Sequence, residues 1–509
     1  MPRLLFGDEC IEPADFTARI DRVAGWLAAQ GIGPGNVVAY MLRNEPAIFE
    51  ISQAAQRLGA TALPINWHFG AEETDYIIRD SNARLLIAHG DLLHRLAPLS
   101  AACAVFAIRT PAPILSAYSL DAALAPGPAG IPDWRAALQT AKALPATGQR
   151  PAGSATLMYT SGTTGKPKGV LRPAPSPEEA ARIGTVLRQV FGTRAGQVLL
   201  AAAPLYHAAP SASANAAMRV EGTVAILPRF TPDAFLAAIQ QHRVTHTFMV
   251  PVMFTRLLRL PQATRQQYDL SSLEWVLHGA APCPPDLKRA MIDWWGPVIH
   301  EYYGSSEFGP IAACDSMEWL AHPGTVGRAV TGAEIAILDD AGKTVAAGQA
   351  GEIFCRQTYY PDFTYHRLAE KRAEVDRGGL ITCGDVGRLD ADGFLFITDR
   401  KRDMVISGGV NIYPAEIEAV LGAMPGVADC AVFGIPDAEY GEALCAYVQP
   451  EPSASLNRSE VETYLRARLA GYKLPRRLEF AQNLPREESG KIFKRRLRDP
   501  FWEAAGRRI

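Results

Sequence analysis

Apolar positions change their period several times along this chain, and each change marks an element. Phe16, Ile20, Val23, Ala24 and Leu27 recur at helical spacing, which predicts a helix with one apolar face. Gly31, Gly33, Pro34 and Gly35 then stop it. The run VVAYML (37–42) predicts a short buried strand, and TALPIN (61–66), LLIAH (85–89) and CAVFAI (103–108) are of the same kind, with helical patterns between them. Such alternation predicts parallel α/β layers. Residues 110–154 are rich in Ala, Pro and Gly and read as a long irregular connection with a little helix. Alternation resumes with ATLMYT (155–160), VLLAAAP (198–204), GTVAIL (222–227), HTFMV (246–250), EWVLHGAA (274–281) and VIHEYYG (298–304).

From Glu334 the apolar runs crowd together. EIAILDD, GEIFCRQ and GFLFITD read as antiparallel strands. The charge cluster DRKRD (399–403) then separates this region from a last stretch that reads helix (AEIEAVLGAM), strand (DCAVFGI), strand (ALCAYVQ), helix (VETYLRARL) and basic tail. The cluster marks the boundary of a smaller C-terminal domain.

Composition narrows the class. With 509 residues the chain is long enough for more than one domain, and 48% hydrophobic with 20% charged residues fits a globular protein. Lys plus Arg is 51 against 53 Asp plus Glu, a formal net charge of -2 that gives no electrostatic case for nucleic-acid binding. The 8 Cys include no CxxC pair and read as reduced thiols. MPRLLFGDEC turns acidic too early for a signal peptide, and no apolar run is long enough for a transmembrane segment. A cytoplasmic protein is expected; homo-oligomer formation stays open.

The densest chemistry lies in YTSGTTGKPKGV (159–170), directly after an apolar strand. Ser161, Thr163 and Thr164 offer hydroxyls, Gly162, Gly165 and Gly169 let backbone approach a ligand, and Lys166 and Lys168 add positive charge. Successive N–H groups in such a loop form an anion-binding concavity. The loop suits a polyphosphate without being a Walker A sequence. This segment resembles the phosphate loop of the adenylate-forming superfamily, which includes acyl-CoA and aryl-CoA synthetases, peptide-synthetase adenylation domains and firefly luciferase. Further motifs follow in that family's order, so the resemblance runs from about Phe16 to about Leu497.

The resemblance implies a role for each motif. In the phosphate loop Thr160 to Gly165 and Lys168 would hold the nucleotide, with Thr164 also toward Mg²⁺. YYGSSEFG (302–309) resembles the YGxTE motif: Tyr303 would stack on adenine, Gly304 and Ser306 (where Thr is usual) would line the nucleotide, and Glu307 would hold Mg²⁺. HGAAPCP (278–284) resembles the adenine loop, with Gly279, Ala280 and Ala281 also walling the acyl pocket. In TCGDVG (382–387), Asp385 would accept both ribose hydroxyls, and Cys383 replaces the usual Thr. Arg400 would bind the nucleotide, the hinge position falls on Arg402, and Ser407, Gly408 and Gly409 would line the channel for coenzyme A. Lys491, in PREESGK, is the expected adenylation lysine. In PLYHAAP (204–210), His207 and Ala208 would border the acyl pocket, with His207 either gating it or serving as a core histidine.

The implied fold is α/β: a large N-terminal domain of α/β subdomains with a β-barrel-like portion (1–399), a hinge (400–402) and a small, mobile α+β lid (403–509). The implied activity is ATP-dependent adenylation of a carboxylic acid followed by thioester formation with coenzyme A. ATP, Mg²⁺, coenzyme A and a small-molecule acid are the expected ligands. A medium- or long-chain fatty, aryl or otherwise bulky acid is expected from the small residues Ala208, Ala209, Ser211, Ala280 and Ala281. A small dicarboxylate would need a pocket cation, for which Arg219, Arg229 and Arg256 are the candidates. Rival readings are an adenylating enzyme that loads a carrier protein, a peptide-synthetase adenylation domain, a luciferase-like oxygenase and a non-catalytic nucleotide-binding regulator. PLYHAAP lacks the Asp that peptide-synthetase domains usually carry there, and a regulator would not need Lys491.

Overall fold

The computed structural model describes residues 2–96, 103–145, 155–160, 167–401, 403–407, 410–437, 440–452, 454–486 and 492–505; of Arg400, Val410 and Asn411 it describes the backbone. A large mixed α/β region precedes a small C-terminal one. The first predicted helix forms as Pro13–Ala29, with Phe16, Ile20, Val23, Ala24 and Leu27 buried and Pro13 at its first turn.

Among the described residues the large region carries two parallel cores. One is a sheet in the order Thr61–Pro64, Val37–Met41, Ala83–His89, Ala104–Ile108, all parallel. The other is nine-stranded; its centre runs Ile299–Ser305, Trp275–His278, His246–Met249, Val198–Ala201, Thr223–Ile226, Arg3–Phe6, in parallel register. Arg3–Phe6 apart, these strands are the short apolar runs seen in the sequence, and the central ones, Val198–Ala201, Thr223–Ile226, His246–Met249 and Trp275–His278, are buried on both faces. Gly309–Cys314 adds to the edge beside Ile299–Ser305, antiparallel.

Helices cover the nine-stranded sheet. Pro177–Phe191 begins with a capping box, in which Ser176 Oγ accepts from Glu179 N at 3.2 Å and Glu179 Oε2 accepts from Ser176 N at 2.7 Å. It ends at Gly192 (φ +61), where a Cβ would also lie 2.3 Å from the Trp275 ring, so glycine is required there twice over.

One predicted element belongs elsewhere. ATLMYT does not enter a parallel layer: Thr156–Thr160 forms an antiparallel hairpin with Lys168–Arg172, extended by Thr364–Tyr365. The crowded runs after Glu334 do pair antiparallel, Ala333–Leu338 on Gly351–Gln357 and Asp385–Leu389 on Leu395–Arg400. Their sheet is six-stranded, and Ile337, Ile353 and Leu395 pack with Ala312 of the large sheet. The 110–145 connection holds the helices Ala112–Tyr118 and Trp134–Gln139.

The C-terminal region has its own core, in which Val405, Ile417, Leu421, Val432, Ala446 and Val461 are buried together. The long strands Val427–Asp437 and Gly441–Pro450 pair antiparallel, and Arg477–Phe480 adds in parallel. The basic tail is not merely solvated: Lys494–Ala504 is helical, with Trp502 buried and its Nε1 donating to Gly434 O at 3.0 Å. No helix among the described residues is long and apolar enough to cross a membrane.

Candidate active site

Parts of three sequence motifs, 278–284, 302–309 and 382–387, meet where the strands Trp275–His278 and Ile299–Ser305 end. Ile299–Ser305 turns back through Ser306, Glu307 and Phe308 into Gly309–Cys314. Gly309 takes φ +78, the left-handed residue that closes a three-residue hairpin loop. Gly304 is demanded by close approach, since a Cβ there would lie 2.5 Å from Gly309 O. Ser305 Oγ accepts the N–H groups of Glu307 (3.1 Å) and Phe308 (3.2 Å), which fixes the turn from inside.

This turn gathers several of the expected residues. The Tyr303 hydroxyl donates to Asp385 Oδ2 at 2.7 Å. Asp385 opens the strand Asp385–Leu389 and lies in register with Arg400. Burial, then the Asp385 carboxylate, raises the Tyr303 phenol well above its ordinary range, so it remains a donor. Cys383 Sγ donates to Ser305 Oγ at 3.4 Å, and burial raises its thiol well above the usual range. A protonated thiol is no nucleophile; half-buried Cys383 supports the turn.

The neighbouring loop follows strand Trp275–His278. Gly279 touches the Tyr302 ring, which a Cβ would meet at 3.1 Å, and Ala280 takes φ +67, an uncommon conformation for a residue with a side chain. Beneath it His278 and Lys288 are fully buried, and Lys288 Nζ donates to Glu301 Oε2 at 2.7 Å. His278 Nε2 lies 3.5 Å from the same carboxylate. Burial holds that imidazole far below its ordinary pKa, so the contact is not an ion pair, and Lys288 alone neutralises Glu301.

His207 precedes helix Ala208–Arg219 at its N-cap, its ring 4.2 Å from that of Tyr206. Ala209 and Ala212 face the same core cluster as Tyr302, whose ring packs 5.9 Å from Phe191 and 6.3 Å from Phe248. The three candidate pocket arginines do not gather there. Arg219 and Arg256 are exposed, and Arg229 donates to Ala117 O and lies over Tyr118.

Thr160 and Lys168 flank the loop of the hairpin Thr156–Thr160/Lys168–Arg172, Thr160 Oγ1 lying 3.5 Å from Lys168 O. Ser161 to Lys166, with Gly162, Thr163, Thr164 and Gly165, lie outside the described residues, as do Arg402, Gly408, Gly409 and Lys491. Ser407 ends the strand Val405–Ser407 and pairs with Gly441 of the C-terminal sheet.

Two side chains that sequence reading missed complete the site. The Tyr365 hydroxyl donates to Glu307 Oε1 at 3.2 Å, and Arg172 Nη2 donates to Glu307 O at 2.7 Å. Lys168, Val170 and Arg172 alternate on one strand, a period-2 pattern that puts their side chains on one face. That alternation was the available signal.

The chain is similar to known proteins over nearly its whole length. Residues 10–360 match the model of the AMP-binding enzyme family, and residues 416–491 match the AMP-binding enzyme C-terminal domain. A feruloyl-CoA synthase from Amycolatopsis sp is 34% identical, covering 97% of this chain and 95% of the relative. An indoleacetate–CoA ligase from Aromatoleum aromaticum is 32% identical, covering 96% and 93%. The crystal structure of ATP-bound MatB from Rhodopseudomonas palustris superposes with a TM-score of 0.83 at 28% identity, covering 98% of this chain and 96% of that one. The chain is therefore a member of the AMP-binding enzyme family, the adenylate-forming superfamily of acyl-CoA synthetase type.

Proposed function

We propose that this enzyme activates an aryl or similarly bulky carboxylic acid with ATP and passes the acyl group to coenzyme A. The observation that carries the reading is the convergence of Tyr303, Glu307 and Asp385 on one turn, in a chain whose family members include coenzyme A ligases. Tyr302, with Phe191 and Phe248 packed against it, shares one apolar cluster with the small Ala209 and Ala212, which supports a flat, bulky acyl group. Ferulate and indoleacetate, the acids in two relatives' names, are of that kind.

In the first step a carboxylate oxygen attacks the α-phosphorus, the bond to the β-phosphate oxygen breaks, and pyrophosphate leaves. Asp385 holds the ribose hydroxyls, Tyr303 stacks on adenine, and Gly279 to Ala281 pass close to the base. Gly304, Ser306 and Arg400 complete the nucleotide site with the phosphate loop, Thr160 to Gly165 and Lys168. Lys491 bridges the two anions as they meet, offsetting their repulsion. In the second step the thiol sulfur attacks the carbonyl carbon of the mixed anhydride and AMP leaves with the bonding pair. Ser407, Gly408 and Gly409 guide the thiol, while His207 and Ala208 border the acyl group.

The donor set fits Mg²⁺: a single carboxylate, Glu307, half-buried on a turn, suits a hard cation that takes few protein ligands and uses phosphate oxygens for the rest. Glu307 and Thr164 would hold it, and when bound it supplies charge neutralisation on the triphosphate.

Residues 400–402 serve as the hinge between domains 1–399 and 403–509. Strand Leu395–Arg400 pairs within the large domain and strand Val405–Ser407 within the small one, which supports a boundary between them.

The test is pyrophosphate release and AMP formation with ATP, Mg²⁺ and a panel of aryl and fatty acids, with and without coenzyme A, in wild type and Lys491→Ala. Support is an aryl acid that gives pyrophosphate and then a thioester, with Lys491→Ala losing adenylation but converting supplied acyl-adenylate. Adenylate that coenzyme A never accepts would point to a carrier protein and sink the thioester assignment. ATP binding without activation of any acid would favour a regulator.

A further inference from the structure

Arg172 and Tyr365 lie outside every motif, yet both end on the turn that carries Glu307. Arg172 is the last residue of strand Lys168–Arg172. Its Nη2 donates to the carbonyls of Glu307 (2.7 Å) and Ser306 (3.3 Å), and its Nη1 donates to the carbonyl of Pro361. The guanidinium lies 5.5 Å from the Tyr360 ring. A planar fork with several donors can bridge carbonyls on two different segments; an ammonium on a flexible stem cannot reproduce that geometry.

Tyr365 reaches the same turn from the third strand of the hairpin sheet, where it pairs with Val170. It is buried, and its hydroxyl donates to Glu307 Oε1 at 3.2 Å. Its ring also takes the Lys168 ammonium at 5.5 Å. Neighbouring Phe363 meets the ring edge-on at 5.3 Å and fixes its plane.

We propose that Arg172 and Tyr365 are positioning residues for Glu307. Arg172 ties the base of the phosphate-loop hairpin to the backbone of the turn, and Tyr365 aims the carboxylate. Strand Lys168–Arg172 and the carboxylate that takes the counter-ion are thereby held together. The two contacts divide the work: Arg172 fixes where the turn stands and Tyr365 fixes where its side chain points. A carboxylate already oriented needs no side-chain ordering when the cation arrives, so the expected signature is metal affinity. This inference rests on the assignment of Glu307 made above.

The experiment is ATP binding, followed with a fluorescent ATP analogue, as a function of Mg²⁺ concentration, in wild type, Tyr365→Phe, Arg172→Lys, Arg172→Met and Glu307→Gln. Melting temperature without nucleotide and binding in EDTA are measured alongside. Tyr365→Phe should raise the half-saturating Mg²⁺ about tenfold, the scale of one hydrogen bond to a charged group. Its melting temperature and its binding in EDTA should match wild type. Arg172→Lys should move in the same direction, and Arg172→Met further. An unchanged Mg²⁺ requirement in Tyr365→Phe, the variant least able to disturb folding, overturns the proposal. If Glu307→Gln itself leaves the Mg²⁺ dependence intact, the assignment of Glu307 fails and this inference with it. If Glu307→Gln removes the dependence while Tyr365→Phe does not shift it, only the positioning role fails.

Discussion

The Tyr303 hydroxyl donates to Asp385 Oδ2 across 2.7 Å, joining two motifs 82 positions apart in the chain. The ring proposed to stack on adenine and the proposed ribose acceptor are thus registered to each other. Asp385→Ala removes the acceptor and should weaken ATP binding about tenfold to a hundredfold, the range of one or two hydrogen bonds to a charged group. Tyr303→Phe keeps the ring and should cost only a fewfold. Titration of ATP by calorimetry separates the two, and equal losses in both variants would contradict this division of roles.

Much of this site was legible in the sequence because its motifs are local. Glycines, hydroxyls and carboxylates at fixed spacing sit on single turns, as in Tyr302–Gly309 and Thr382–Gly387. The parallel sheets were legible because strands covered on both faces read as continuous apolar runs. What the sequence hid was pairing. ATLMYT looks like any buried strand, and only its partner Lys168–Arg172 makes it a hairpin. Arg172 and Tyr365 act through contacts to Glu307 from 135 and 58 positions away; alternation along Lys168–Arg172 sets the face of Arg172, but nothing local names its partner or points to Tyr365. The terminal helix was hidden for another reason: its basic residues are matched by partners, Lys494 by the distant Glu418 at 2.8 Å and Arg495 by Asp499 one turn on at 2.8 Å.

Beneath the loop 279–281, Lys288 and Glu301 form a buried pair at 2.7 Å, with Lys288 wholly shielded from solvent. Removing one partner leaves a buried charge alone, which costs about 3–5 kcal/mol. Lys288→Met and Glu301→Leu should each lower stability by that amount. The double variant should recover most of it, because no uncompensated charge remains. Urea denaturation of the four proteins in a double-mutant cycle measures the coupling, and strictly additive losses would show that the pair is not coupled.

His300 stacks on Trp275 with ring centroids 3.5 Å apart. Burial lowers its pKa from 6.5 to about 4; nearby Lys288 and His246 push the same way and Asp315 opposes them. Between pH 6.5 and 4 the unfolded chain therefore binds a proton that the folded ring refuses. Stability must fall as pH drops through that window. His300→Phe keeps a stacked ring without the titration, so its melting temperature should decline less from pH 7 to pH 4.5 than that of wild type. Some slope should persist, since His246 and His278 are shifted in the same direction. An identical acid slope in both proteins would remove His300 as a contributor.

At the domain boundary, Asp399 Oδ2 accepts the N–H of Ala415 at 2.9 Å, in the first turn of helix Pro414–Gly422. That helix gets no side-chain cap from its own N-cap residue, Tyr413, so a carboxylate from strand Leu395–Arg400 satisfies one of its open donors. The contact crosses the proposed hinge. If the small domain must turn between adenylation and thioester formation, this cap is made or broken in the process. A cap of this kind contributes about 1 kcal/mol, and its loss should shift the balance between the two domain arrangements by about fivefold. Asp399→Ala is therefore expected to change the ratio of the two half-reaction rates, one followed by pyrophosphate release and the other by conversion of supplied acyl-adenylate with coenzyme A. Equal slowing of both would mean that Asp399 stabilises the helix in every arrangement and takes no part in the turn.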